Sequence, residues 1–244
     1  MIRTALISAA GRGTRMRELA ADRPKHLIPV LGRPFISHVL DRLAAAGITR
    51  MILVIGHLRE TWTDYLKEQP YDLTIVDQFE LLGEKYGTSC PIEAAEYTIG
   101  REPFLAVNGD NLYSPNDIRA LLIEDEFTYV AGLKHEHPER YGVLVTQPDG
   151  RLARIVEKPT EYVGDLINTS LYKFTSNVFP IVKGLERSPR GEFEITDAVS
   201  ALASQGQVRV HMLRDYWKDF GRPEDIEVME EFLKSHPIES SKHA

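Results

Sequence analysis

The residues best placed to do chemistry lie near the start of the chain. They are Ala9-Ala10-Gly11-Arg12-Gly13-Thr14-Arg15-Met16, followed by Pro24-Lys25-His26-Leu27-Ile28-Pro29-Val30. Gly11 and Gly13 allow a tight turn that brings backbone N–H groups close to a ligand. Donors oriented in this way suit a phosphate oxygen. Arg15 adds a planar fork matched to phosphate geometry, and Lys25 a compact second charge. Two glycines alone mark a strand-to-loop turn just as well. Met16 stands where a dinucleotide fingerprint needs its third glycine, and no Gly-x-x-x-x-Gly-Lys-Ser/Thr occurs. Nicotinamide, flavin and P-loop sites are disfavoured accordingly.

Further candidates are spread along the chain. Gln78 offers a donor and an acceptor, which could read a pyrimidine edge or simply be solvated in a loop. Asp110, in Asn108-Gly109-Asp110-Asn111, follows an apolar run and is a candidate Mg²⁺ ligand, because Mg²⁺ takes carboxylates together with phosphate oxygens. His135-Glu136-His137 lacks a third ligand at matching spacing and reads as a solvated loop rather than a metal site. Cys90 is the single cysteine, so no intrachain disulfide forms. It reads as a buried or loop thiol, not a nucleophile.

The elements that must position these residues alternate. Ala5–Ala10 has buried-strand length. Pro34–Ala46 places Phe35, Ile36, Val39, Leu40 and Leu43 at helical spacing, and Gly47 stops it. Met51–Ile55 and Leu73–Asp77 read as strands, with a helix at Glu60–Lys67 between them. A loop is expected over 78–88 and a helix at Pro91–Tyr97. Phe104–Val107, Thr128–Leu133, Leu152–Val156, Leu166–Phe174 and Val208–Leu213 read as strands. Ser114 and Pro115 mark a helix start; a helix follows Glu194 to about Ala203, and the last covers Ile226–Leu233. The β-α-β-α-β opening predicts an α/β fold: a Rossmann-like mixed, mainly parallel sheet with helices on both faces. Ligands of such sheets sit beyond the carboxyl ends of the strands, where the Gly11–Arg15 loop falls.

Length and charge set bounds. The 244 residues permit one large α/β domain or two small domains, and a net charge of −7 argues against a general nucleic-acid binder. No segment reaches transmembrane length and no leader-like apolar region opens the chain, so no membrane contact and a cytoplasmic localisation are expected.

The first two motifs together resemble the signature of the sugar-1-phosphate nucleotidylyltransferases. Later stretches fit the same family in the same order: Gly109-Asp110-Asn111, Tyr141-Gly142-Val143, Glu157-Lys158-Pro159 with Asn168, and Trp217-Lys218-Asp219-Phe220-Gly221-Arg222-Pro223. The resemblance covers residues 2 to about 234 and is strongest to glucose-1-phosphate thymidylyltransferase-like domains. It implies one domain over 1–235, with a nucleotide part to about 112, a sugar part from 113, and a flexible tail at 236–244. It implies that a nucleoside triphosphate contacts Ala10, Gly11, Gly13, Thr14, Gln78, Gly87 and Thr88. Arg15, Lys25 and Lys158 would neutralise phosphate charge, and Asp110 and Asp219 would hold Mg²⁺. Gly142, Glu157, Asn168 and Trp217 would face the sugar. Ser170 departs from the family's glycine. The Glu-x-Thr-Asp run at Glu194 is expected to pack and cap a helix. The substrates implied are dTTP or UTP and glucose-1-phosphate. A mannose-1-phosphate guanylyltransferase or amino-sugar uridylyltransferase shares most motifs, and a cytidylyltransferase is a further relative on the same fold. A non-catalytic nucleotide-sugar sensor is the alternative of another class. No hexapeptide array is present, and a homo-oligomer is left open.

Overall fold

In a computed structural model of the protein, which describes residues 2–67 and 69–238, strand and helix alternate from the start. In order come β1 (Thr4–Ser8), the short pair β2 (Pro29–Val30) and β3 (Arg33–Pro34), α1 (Phe35–Ala45), β4 (Arg50–Ile55), α2 (Trp62–Lys67) and β5 (Leu73–Asp77). Next are α3 (Gln78–Leu82), α4 (Cys90–Ala94), α5 (Glu96–Ile99) and β6 (Phe104–Asn108). β1 lies between β4 and β6, β5 flanks β4, and all three pairings are parallel. These central strands are apolar almost throughout because both faces are covered. Ala5, Ile7, Leu53, Leu105 and Val107 face one layer, while Leu6, Ile52, Val54, Phe104 and Ala106 face the other. The period of two decides that split.

α1 belongs to the first layer. Phe35, Ile36, Val39, Leu40 and Leu43 are all buried, each such side chain contributing about 2 kcal/mol. Gly47, at φ 101°, ends the helix and donates to Ala44 O at 2.9 Å.

The second half completes the sheet. β7 (Asn111–Tyr113), α6 (Pro115–Ala120), β8 (Thr128–Lys134), β9 (Gly142–Thr146), β10 (Leu152–Glu157) and β11 (Leu166–Phe174) are followed by α7 (Val178–Lys183), α8 (Ile195–Ser204), β12 (Val208–Met212), β13 (Trp217–Asp219) and α9 (Asp225–Ser235). β11 runs antiparallel to β6, and the sheet order is β10-β9-β11-β6-β1-β4-β5, with β8 also on β11 and β12 parallel to β8. The fold is the mixed α/β sheet that the sequence predicts. Ser114 caps α6 as expected, accepting from Asp117 N at 3.0 Å.

Several local expectations need correction. Residues 78–88 are not all loop: Asp77 accepts from Phe79 N at 2.9 Å and Glu80 N at 3.1 Å, and this cap starts α3 at Gln78. The helix expected over 60–67 begins at Trp62, after a 3₁₀ turn at Arg59–Thr61. The helix expected at 91–97 is broken at Ala95, whose ψ of 0° is not helical. Two three-residue strands, β7 and β13, form an antiparallel ribbon that no periodicity announced. Of the tail, residues 239–244 lie outside the described residues, whereas His236 stacks on Phe232 at 4.1 Å and its carbonyl accepts from Arg42 at 3.3 Å. Among the described residues no helix is long and apolar enough to cross a membrane.

Candidate active site

A cavity of about 280 Å³ opens at the carboxyl ends of β1 and β6, where Ser8 and Asn108 form its floor. Ala10, Gly11, Gly13, Thr14 and Arg15 line one side, with Lys25 beneath them. Gly13 sits at φ 63°, and a Cβ there would touch the Lys25 stem at 3.4 Å, so the loop rests directly on that lysine. Gly221 leaves room for Arg15: a Cβ on it would lie 3.3 Å from the guanidinium carbon. The opposite wall is Gln78, Gly87 and Thr88. Gln78 is buried at the start of α3; its Nε2 donates to Lys85 O at 3.4 Å, and its Oε1 has no protein partner.

Asp110 joins the cavity from the turn between β6 and β7. Lys25 Nζ donates to its Oδ2 and Asn111 Nδ2 to its Oδ1, the latter at 3.0 Å. Burial pushes the Asp110 carboxyl up, but Lys25, with Arg15 behind it, outweighs burial and holds it below the usual range. Asp219 arrives by strand pairing, directly opposite Asn111 in the β7–β13 ribbon. Asn111 Nδ2 also donates to Asp219 Oδ1 at 3.1 Å. Burial and then the neighbouring Asp110 push Asp219 up to about 6. His26 is held neutral, its ring pushed down to about 3 by burial and by Lys25. Two carboxylates share one amide, Asp110 buried and Asp219 half-buried, with Lys25 paired to the first. Mg²⁺ takes one or two carboxylates and completes its shell with phosphate oxygens and water, so this donor set fits a divalent cation.

The residues expected to face a sugar do not line this cavity. They form a neighbouring group around the β9–β10 pair. Gly142 lies opposite Glu157, and a Cβ on Gly142 would come within 2.9 Å of Glu157 Oε2 and 3.8 Å of Asn168 Cβ. Asn168 donates to Tyr172 OH at 2.7 Å and accepts from Ser170 N at 3.0 Å. Ser170 has φ 61°, the left-handed conformation that a glycine adopts without strain. Lys158 follows Glu157 on the exposed rim. Trp217 commits its indole N–H to Asn111 Oδ1 at 2.9 Å, leaving its ring, edge-on to Tyr141 at 5.4 Å, to face this side.

Some positions do more, or other, than the sequence suggests. Gly87 is pressed against a distant segment, where a Cβ would meet Phe193 O at 2.2 Å. Thr88 caps α8, its Oγ1 accepting from Ile195 N at 2.8 Å. Helix capping expected of the Glu194 run is therefore supplied from elsewhere in the chain. Arg190 is missed by motif reading: it lies 3.6 Å from Glu157 and 3.5 Å from Glu194. Arg12 stacks over the Tyr86 ring at 5.2 Å at the mouth of the cavity. Asn111 was visible only as the third letter of Gly-Asp-Asn. Burial pushes the Cys90 thiol up to about 11, in keeping with an unreactive buried residue.

A glycine turn with two cations and a carboxylate lies at the strand ends of an α/β sheet, an arrangement suited to phosphate. The chain belongs to the nucleotidyl transferase family, whose profile matches residues 4–236. It is 34% identical over 224 residues to the bifunctional protein GlmU of Methanococcus maripaludis, covering 91% of this chain and 52% of that protein. The chain thus spans about half the length of the GlmU relatives it matches. It is 30% identical over 244 residues to the UTP–glucose-1-phosphate uridylyltransferase AglF of Haloferax volcanii, covering 98% of this chain and 99% of AglF. The fold is also that of a UDP-glucose pyrophosphorylase crystallised with UDP-glucose, at a TM-score of 0.83 and 24% identity over 96% of this chain and 100% of the other.

Proposed function

We propose that the protein is a sugar-1-phosphate nucleotidylyltransferase that joins a pyrimidine nucleoside triphosphate, dTTP or UTP, to a hexose-1-phosphate, glucose-1-phosphate first. The observation that carries this reading is the convergence of the Gly11–Arg15 loop, Lys25 and Asp110 on one cavity that also holds Gln78. Gln78 lines that cavity and has an unpartnered acceptor, Oε1, for which the N3–H of thymine or uracil is a matching donor. The full-length similarity to AglF, named for UTP and glucose-1-phosphate, supports the same pair of substrates.

The nucleotide part runs to about residue 112 and the acceptor part from there to about 235. An oxygen of the sugar phosphate attacks the α-phosphorus in line. The new P–O bond forms as the bond to the bridging α–β oxygen breaks, and pyrophosphate leaves with the electron pair. The attacking phosphate is ionised at neutral pH, so no side chain has to take a proton. Positioning and charge neutralisation carry the catalysis. Gly11, Gly13 and Thr14 cradle the triphosphate, with Ala10, Gly87 and Thr88 shaping the nucleotide walls. Arg15 and Lys25 neutralise the triphosphate, and Lys158 draws the second anion toward it. Gly142, Glu157 and Asn168 orient the sugar, and the Trp217 ring walls it. Asp110 and Asp219 would hold Mg²⁺, which would supply Lewis-acid neutralisation of phosphate charge.

The test is pyrophosphate release with Mg²⁺ from a grid of nucleoside triphosphates and sugar-1-phosphates. Release that requires one pyrimidine nucleotide and one hexose phosphate is expected. Gln78→Ala should narrow the gap between pyrimidine and purine nucleotides while leaving the sugar preference unchanged. Silence across the grid from folded protein would overturn the reading.

A further inference from the structure

We infer that Asn111 is a positioning residue that sets Asp110 and Asp219 for a divalent cation and ties that site to the acceptor side through Trp217. The inference rests on the reading of these two aspartates as metal ligands. An asparagine amide offers two N–H donors and an oxygen with two lone pairs. Here both donors and one lone pair are used. Nδ2 donates to Asp110 Oδ1 at 3.0 Å and to Asp219 Oδ1 at 3.1 Å. Oδ1 accepts from Trp217 Nε1 at 2.9 Å, while the single hydroxyl hydrogen of Tyr113 goes to Thr169 O at 2.6 Å.

These partners leave the amide one orientation. An indole nitrogen can only donate and an ionised carboxylate only accepts, so a turned-over amide would set donor against donor and acceptor against acceptor. The backbone reinforces this arrangement. Asp219 lies opposite Asn111 and Trp217 opposite Tyr113 in the β7–β13 ribbon, and Phe220 N donates to Asp110 O at 2.8 Å. Asn111 thus sits between two acidic side chains brought together from sequence positions over one hundred residues apart.

The same amide reaches the acceptor side. The Trp217 and Tyr141 rings meet nearly perpendicular, 5.4 Å apart. Tyr141 precedes Gly142, and its carbonyl accepts from Lys158 N at 3.0 Å. A chain of direct contacts therefore runs from the acceptor group through Tyr141, Trp217 and Asn111 to both carboxylates. Groups of this kind, one contact removed from a metal, orient its ligands and tune affinity.

The test uses Mn²⁺ as an electron paramagnetic resonance probe, titrated into the full chain with and without UTP or dTTP. Asn111→Leu removes the amide at similar volume and should weaken Mn²⁺ binding about tenfold. Nucleotide affinity measured in EDTA should stay unchanged, which a collapsed site would not permit. Trp217→Phe keeps an aromatic ring, though a smaller one, and removes the N–H donor; a smaller loss than that of Asn111→Leu is expected. The double variant should bind Mn²⁺ no more weakly than Asn111→Leu alone, because Trp217 acts through Asn111. Should Asn111→Leu prove insoluble, Trp217→Phe carries the test by itself. Native-like Mn²⁺ binding in both variants would overturn the proposal, as would full multiplication of the two losses. An unsubstituted protein that binds no Mn²⁺ even with nucleotide would instead remove the metal reading, and the proposal with it.

Discussion

At the scale of single residues, Asp219 sets function against stability. Burial and Asp110 push its carboxyl up to about 6, above the usual 3.8. The folded chain therefore keeps a proton that the unfolded chain has released above about pH 4. Stability attributable to this group is present below that pH, falls between pH 4 and 6, and stays lost above. Asp219→Asn removes the charge and keeps an oxygen for Asn111. It should stabilise the protein by about 2 kcal/mol at pH 7.5 and leave stability unchanged near pH 3.5. Pyrophosphate release should meanwhile fall by orders of magnitude. Urea denaturation at the two pH values checks the first part, and a loss of stability at pH 7.5 would refute it. Residue types exposed Arg15, Lys25, Asp110 and Gln78 to sequence reading, because each stands beside a glycine turn or an apolar strand end. The role of Asn111 was hidden, since it depends on an indole 106 residues away.

At the scale of elements, β11 shows why alternation reveals a strand and not its irregularities. The apolar pattern of 166–174 predicts this strand, and β11 covers the same residues. Its pairing with β8 nevertheless breaks between Asn168 and Tyr172, where Ser170 turns to φ 61°. The bulge aims Asn168 toward Glu157 and Gly142, and Asn168 stabilises it by accepting from Ser170 N. A left-handed serine costs about 1 kcal/mol relative to a residue free of Cβ clash. Ser170→Gly should therefore stabilise the protein by about 0.5–1 kcal/mol, less than the full strain because glycine loses more entropy on folding. The affinity for a sugar-1-phosphate should change less than twofold. A shifted urea midpoint at constant slope is the expected readout; destabilisation would show that the Ser170 hydroxyl matters more than the strain. Other elements escaped the sequence for related reasons. Asp77 caps α3 where a loop was expected, and β7 and β13 are too short for any period to register.

At the scale of the whole molecule, the two halves of the site are joined by a strap that the sequence could not show. Phe193 N donates to Tyr86 O at 3.1 Å, and Ser89 N donates back to Phe193 O at 3.0 Å. Gly87, between them, has its would-be Cβ 2.2 Å from Phe193 O, so no side chain fits without parting the two segments. Thr88 continues the junction by capping α8. From the same segment Arg190 reaches back to Glu157 beside the acceptor group. The sequence alone presents Gly87 and Thr88 as nucleotide contacts, because their partners lie more than one hundred residues further on. Parallel strands, α1 and the glycine loop were legible since each is specified locally; the strap is specified only by the closed fold. Gly87→Ala should accordingly lower stability by about 2 kcal/mol, the scale of overpacking against backbone. It should weaken both nucleotide and sugar-1-phosphate binding, whereas a change confined to the base wall, such as Gln78→Ala, should leave the sugar phosphate unaffected. Calorimetric titration of each ligand, alongside thermal unfolding, separates these cases. Loss of nucleotide affinity alone in Gly87→Ala would mean that the strap shapes only the near wall. Loss of both would establish that one junction, closed by one absent side chain, holds the two substrate groups in register.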